Sequence, residues 1–179
     1  MLLKWENPLL SLLQKISYFP ERSTEQAAFA LITAELEGEK CYLLQWNPKW
    51  QCYNFIGGKV ENGKKDNNNF ANTIRREVKE EMGIELEGLL VEREIKQIQL
   101  WQFSKREKKL KPYRFSVFEI CFFPDLPVER QKIKRALCWL SSKHDNIYVS
   151  QREILKLETN AGKPISKTVK LVLADLNML

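Results

Sequence analysis

Along the chain the apolar positions change period several times, and each change marks an element. Leu9, Leu10, Leu12, Leu13 and Ile16 follow Asn7-Pro8 at helical spacing, which predicts a helical segment over residues 1–20. Its stripe suits a packing arm or a dimer contact. Ala27 to Leu36 is rich in apolar and β-forming residues and reads as a strand. Glu37-Gly38-Glu39 turns the chain into a second strand, Lys40 to Trp46, so the pair forms a hairpin ended by Asn47-Pro48. Cys52 to Ile56 is a short strand running into Gly57-Gly58. From Asn69 to Met82 the period becomes helical: Phe70, Ile74, Val78 and Met82 step by four along one face. Asn69 is placed to cap that helix, and Gly83 stands where a helix end favours a left-handed residue. Leu86 to Phe103 alternates as a long or broken strand pair, and Tyr113 to Phe123 is a strand ended by Pro124 and Pro127. Ala136 to Leu140 reads as a last strand. Val149 to Leu157 and Ser166 to Asn177 have helical patterns.

This order predicts an α+β domain with a mixed sheet covered by helices. A chain of 179 residues has room for one full core. The division is an N-terminal helical arm over 1–22 and a domain over 23–179 that includes the C-terminal helices. A hydrophobic share of 44% and a charged share of 29% exclude wholesale disorder. The net charge of +6 favours anionic partners, but only weakly, because such a surplus is common in proteins that bind neither phosphates nor nucleic acid. No apolar run approaches the ~18 residues of a membrane span, and no signal-peptide core is evident. Cys41, Cys52, Cys121 and Cys138 form no C-x-x-C pair, so spacing supports neither a zinc site nor a redox motif. Free thiols fit a reducing cytoplasm.

The chemistry concentrates in Arg75-Arg76-Glu77-Val78-Lys79-Glu80-Glu81-Met82-Gly83. Glu77, Glu80 and Glu81 stand at i, i+3 and i+4 and project to one side of a helix. Three crowded carboxylates repel one another unless a positive group intervenes. Arg76, four residues before Glu80, is one such group. A hard cation, Mg²⁺ or Mn²⁺, is another, since it prefers oxygen ligands and shares its shell with water and substrate phosphate. Gly57-Gly58 lets backbone approach a ligand closely, and Lys59 adds a point charge suited to phosphate. Taken singly these signals are weak: a Glu-rich helix face is commonly just solvated.

The whole string is more specific. Gly57-Gly58-Lys59-Val60-Glu61 followed by Arg76-Glu77-Val78-Lys79-Glu80-Glu81-Met82-Gly83-Ile84 resembles the Nudix box of the Nudix hydrolase family, G-x5-E-x7-R-E-U-x-E-E-x-G-U with U a bulky aliphatic. The second half matches at every specified position. The first half departs: 17 residues (59 to 75) separate Gly58 from Arg76, where the motif leaves 13, an insertion of four. Counting from either end of the motif reaches Lys64 or Asn68, neither of them the expected glutamate. Glu61 and Asp66 are both candidates to replace it. The resemblance spans about Gln26 to Leu157 and implies an α/β/α sandwich with a mixed sheet flanked by helices. It implies that Glu77, Glu80 and Glu81 bind metal and that Arg76 orients them. Gly57, Gly58 and Lys59 remain the candidate phosphate contacts. The resemblance further implies a carboxylate from outside the box, for which Glu119 and Glu129 are candidates.

The function this implies is Mg²⁺- or Mn²⁺-dependent hydrolysis of a diphosphate linkage in a nucleoside diphosphate joined to a moiety X. A modified nucleoside triphosphate, a nucleotide sugar, ADP-ribose or a capped RNA end fits that class. The alternative is a Nudix-fold module that senses such a ligand with little turnover, motivated by the missing glutamate and the basic surface. An isopentenyl diphosphate isomerase, which has a related fold, needs an early catalytic cysteine, whereas Cys41 and Cys52 read as strand residues. The basic run Lys105–Lys111 reads as a solvated hairpin tip. Trp46, Trp50 and Tyr53 flank the glycines and suit either base stacking or packing. His144, the only histidine, reads as a surface loop residue.

Overall fold

In the computed structural model the described residues are 24–61, 65–82, 90–104, 107–122 and 145–179. The chain forms β1 (Glu25–Leu31), β2 (Thr33–Leu36), β3 (Glu39–Asn47), β4 (Cys52–Asn54), β5 (Ile56–Lys59), α1 (Phe70–Met82), β6 (Leu90–Ser104), β7 (Lys109–Phe122), β8 (Asn146–Ser150), α2 (Gln151–Lys156) and α3 (Lys167–Asp175). One sheet has the order β5-β1-β7-β6, with β1 and β7 parallel and the other neighbours antiparallel. In the second, β3 pairs antiparallel with β2, β4 and β8.

Strand β1 explains the layering. Its apolar run is continuous because, flanked by β5 and β7, it is covered on both faces. Phe29 and Leu31 point into a cluster with Tyr42, Phe115, Val117, Val149 and the α3 residues Val169, Val172 and Leu173. Ala28 and Ala30 point the other way, to Ile56, Phe118 and Ile120 beneath Ile74, Val78 and Met82 of α1. The molecule is thus an α+β sandwich, with α1 on one side and the C-terminal helices on the other. Among the described residues no helix is long and apolar enough to cross a membrane.

Four element boundaries differ from the sequence reading, one of them the start of β7, which takes in Lys109–Lys111 of the basic run instead of beginning at Tyr113. The run Ala27–Leu36 divides at Ile32, whose carbonyl accepts from the Leu43 amide at 2.9 Å, so β1 and β2 enter different sheets. Cys52–Ile56 divides at Phe55 in the same way. Val149 belongs to a strand, and α2 starts only at Gln151. The cause is a capping box: the Ser150 hydroxyl accepts from the Glu153 amide, while the Glu153 carboxylate accepts from the Ser150 amide. The helical arm, Gly83, the strand at 136–140 and His144 lie outside the described residues.

Candidate functional site

Helix α1 begins where three asparagines make a start possible. Asn67 and Asn68 both adopt positive φ (48° and 54°), which asparagine tolerates better than most residues. Asn69 then caps the helix, its side-chain oxygen accepting from the Ala71 amide at 2.7 Å. The stripe Ile74, Val78 and Met82 is fully buried, at about 1.5–3 kcal/mol for each side chain. That anchorage fixes the rotation of the helix and hence the direction of Glu77, Glu80 and Glu81.

The glycine pair is a strand and not a free loop. Gly57 and Gly58 lie in β5, paired with Phe29 and Ala28 of β1. Gly57 has φ 141°, and a Cβ there would collide with the Ala28 carbonyl oxygen. At Gly58 a Cβ would meet the carboxylate of Glu77. Strand and helix are therefore in contact through the second glycine. The Gly57 amide donates to Glu81 Oε2 at 3.1 Å, and Gln45 Nε2 donates to the Glu81 carbonyl at 3.2 Å.

Arg76 joins the parts. Its Nε and Nη2 donate to the two oxygens of Asp66, both at 2.8 Å, a bidentate pair whose carboxylate is fully buried. Its Nη1 reaches Glu77 Oε1 at 2.7 Å and Glu80 Oε2 at 3.3 Å, and Nη2 reaches the Lys59 carbonyl at 3.3 Å. Asp66 also accepts from the Glu61 amide and the Thr73 hydroxyl, each at 2.9 Å. The guanidinium holds the Asp66 carboxyl far below the usual carboxylate range. Burial acts the other way on two motif glutamates: it raises Glu77 and pushes Glu81 up to about 7, the Gly57 amide only partly opposing it.

Arg76, Glu77, Glu80, Glu81, Gly57 and Gly58 are brought together. Lys59 joins through its main chain. Its ammonium is held by Glu25 at 2.6 Å, opposite Ala27 in the strand register and on the sheet face away from α1. Glu119 also lies on that far face, between Phe118 and Ile120 of the α1 side, and pairs with Arg93. Glu129 is outside the described residues. Glu61 bonds through its amide, and its carboxylate pairs with Lys65 at 3.1 Å. Asp66 is the residue that sequence reasoning left undecided. Its signal was to be the only acid in the inserted stretch Lys64–Asn69. Of the aromatics, Tyr53 is core, set edge-on to Trp46 with Lys163 over both rings, and Trp50 is exposed. Cys41 and Cys52 are free thiols on strands β3 and β4, as expected.

The donors suit a hard divalent cation: all are carboxylate oxygens, and burial, with the neighbouring carboxylates adding to it, drives two of them toward protonation. Among the described residues no three acidic, histidine or cysteine side chains already converge as a cage. The reason is visible in the contacts, because Glu77 and Glu80 turn to Arg76 and Glu81 to Gly57.

Comparison with known proteins bears on the fold. In fold the chain is similar to the NUDIX domain of Shewanella oneidensis NrtR in complex with ADP-ribose (TM-score 0.51, 9% identity, covering 90% of this chain and 92% of that one). It is also similar to a NUDIX hydrolase from Nitrosomonas europaea (0.50, 17%, 86% and 88%) and to the E. coli ORF135 protein (0.50, 15%, 90% and 95%). A search of curated proteins finds no significant match. The family model of the NUDIX domain matches residues 24–168, a span that takes in both sheets, the glycine strand and the carboxylate helix, and the chain therefore belongs to the Nudix family.

Proposed function

We propose that this protein is a Mg²⁺- or Mn²⁺-dependent pyrophosphohydrolase that cleaves the diphosphate linkage of a nucleoside diphosphate joined to a moiety X. One observation carries the reading: Glu77 and Glu81 of one helix meet Gly58 and Gly57, and Arg76 holds Glu77 together with Glu80. Glu77, Glu80 and Glu81 are the ligands, and Arg76 orients Glu77 and Glu80. A divalent cation there supplies charge neutralisation for the diphosphate oxygens and lowers the pKa of a coordinated water. The backbone of Gly57, Gly58 and Lys59 faces the phosphates. A carboxylate that the cation leaves unsaturated would accept the proton of the attacking water. ADP-ribose heads the candidate substrates because the NrtR domain of similar fold was solved with it.

A second reading has its own support. Glu77 and Glu80 already satisfy Arg76, and the Lys59 ammonium is engaged elsewhere, which suits a module that binds such a ligand with little turnover. A panel of ADP-ribose, nucleotide sugars, modified nucleoside triphosphates and capped RNA, with Mg²⁺ or Mn²⁺, separates the two. Release of phosphate, pyrophosphate or a nucleoside monophosphate supports the hydrolase. Ligand-induced rises in Tm without any product support the sensor and overturn it. Glu80→Gln and Glu81→Gln are each expected to lower turnover by at least about a hundredfold with the fold retained. Wild-type rates in both variants would remove these residues from the site.

A further inference from the structure

The family motif places a glutamate between the glycines and the arginine, and in this chain that place is lost to a four-residue insertion. The inserted stretch carries its own acid. We infer that Asp66 is the positioning residue that replaces it, fixing Arg76 so that Glu77 and Glu80 are held ready for a divalent cation; the inference rests on the hydrolase reading of the site.

Four observations select Asp66 over Glu61. Its carboxylate is fully buried, whereas the Glu61 carboxylate is half exposed and spent on Lys65. Both Asp66 oxygens take up the guanidinium, so the plane of Arg76 is fixed as well as its position. Each donor around Asp66 comes from a different part of the site: the Glu61 amide from the end of the glycine segment, the Thr73 hydroxyl from the first turns of α1, and Arg76 from the next. Finally, the Asp66 carbonyl accepts from the Asn69 amide and from Asn72 Nδ2, which locks the inserted turn to the helix start. Residues 65–69 are thus a folded device, in which the left-handed Asn67 and Asn68 return the chain to α1 after Asp66 has entered the interior.

The physical consequence concerns competition. Arg76 has five N–H donors, and Asp66 occupies its Nε and one Nη2 direction, which leaves Nη1 to touch Glu77 and Glu80 only from one side. Without the Asp66 carboxylate the guanidinium is free to form its own bidentate pair with Glu77. That pairing removes from the cation a ligand it needs.

The test is Mn²⁺ binding to the full-length protein with no nucleotide, by isothermal titration or by the loss of the free Mn²⁺ paramagnetic resonance signal. Asp66→Asn, nearly isosteric, is expected to weaken Mn²⁺ binding about 10–100-fold, as loss of an outer-sphere partner typically does. Glu61→Gln is expected to leave it within about twofold, and Arg76→Lys, which cannot make the fork, to copy Asp66→Asn. Combining Asp66→Asn with Arg76→Lys should add little to either alone, since both remove one interaction. Wild-type affinity in a folded Asp66→Asn overturns the inference, and so does an equal loss in Glu61→Gln. Should Asp66→Asn fail to fold, wild-type affinity in Arg76→Lys overturns it by itself. Failure of the wild type to bind Mn²⁺ at all overturns instead the metal-dependent reading on which it stands.

Discussion

At the scale of single residues, Glu81 is set apart by a half-buried carboxylate that takes one hydrogen bond from Gly57 and is otherwise driven toward its neutral form. The sign of its pH effect follows. A carboxyl whose folded pKa is raised from 4.5 to about 7 binds more protons folded than unfolded across that interval, so its contribution to stability is lost as pH rises through it. In the metal-free protein, Glu81→Gln should flatten the fall in Tm between about pH 4.5 and 7. An unchanged slope would show that Glu81 titrates normally. Metal binding needs the ionised form, so Mn²⁺ affinity of the wild type should climb with pH up to about 7 and then level. Asp66 acts at the other end: its depressed pKa stabilises the fold above the usual aspartate range and is lost only in strong acid. The two glycines separate packing from chemistry. Gly57→Ala strains a φ of 141° against the Ala28 backbone, and we expect a loss of several kcal/mol, about 2–4, in urea denaturation. Gly58→Ala pushes instead on the movable Glu77 carboxylate, so Mn²⁺ affinity should fall more clearly than Tm.

At the scale of elements, α1 was legible in the sequence almost to the residue. Its period of apolar residues, its asparagine cap and its three glutamates are all local information, and the structure starts the helix at Phe70 directly after Asn69. Its burial is also what keeps the glutamates aimed. Ile74→Ala, at a site with no exposure, is expected to cost about 2–5 kcal/mol and to lower metal affinity with it, measured by denaturant midpoint and Mn²⁺ titration. Strand divisions were not legible, because Ile32 and Phe55 are as apolar as their neighbours and nothing local says that the chain leaves one sheet for another. The start of α2 was misplaced for a related reason. Val149 continues the helical pattern by composition, but pairing with Tyr42 of β3 claims it for a strand, and the Ser150 capping box begins the helix later. Ser150→Ala should cost about 1 kcal/mol in thermal unfolding, with Mn²⁺ affinity unchanged.

At the scale of the whole molecule, a cation that binds only the folded state must raise Tm with its concentration, by about 2.7 kcal/mol of added stability at a hundred times Kd. Titrating Mg²⁺ into wild type and into Glu80→Gln should show a rise in the first that is much reduced in the second; equal rises would place the cation elsewhere. The sequence by itself determined the motif helix, the glycine pair and the class of fold, because those depend on residue type and spacing along a short stretch. Tertiary structure decided what spacing cannot express. It made the glycines a paired strand, sent the Lys59 ammonium to Glu25 and set Glu119 on the sheet face away from α1. Between Glu61 and Asp66, it was burial that chose Asp66: a carboxylate taken out of water and surrounded by donors from three residues holds the arginine in one orientation.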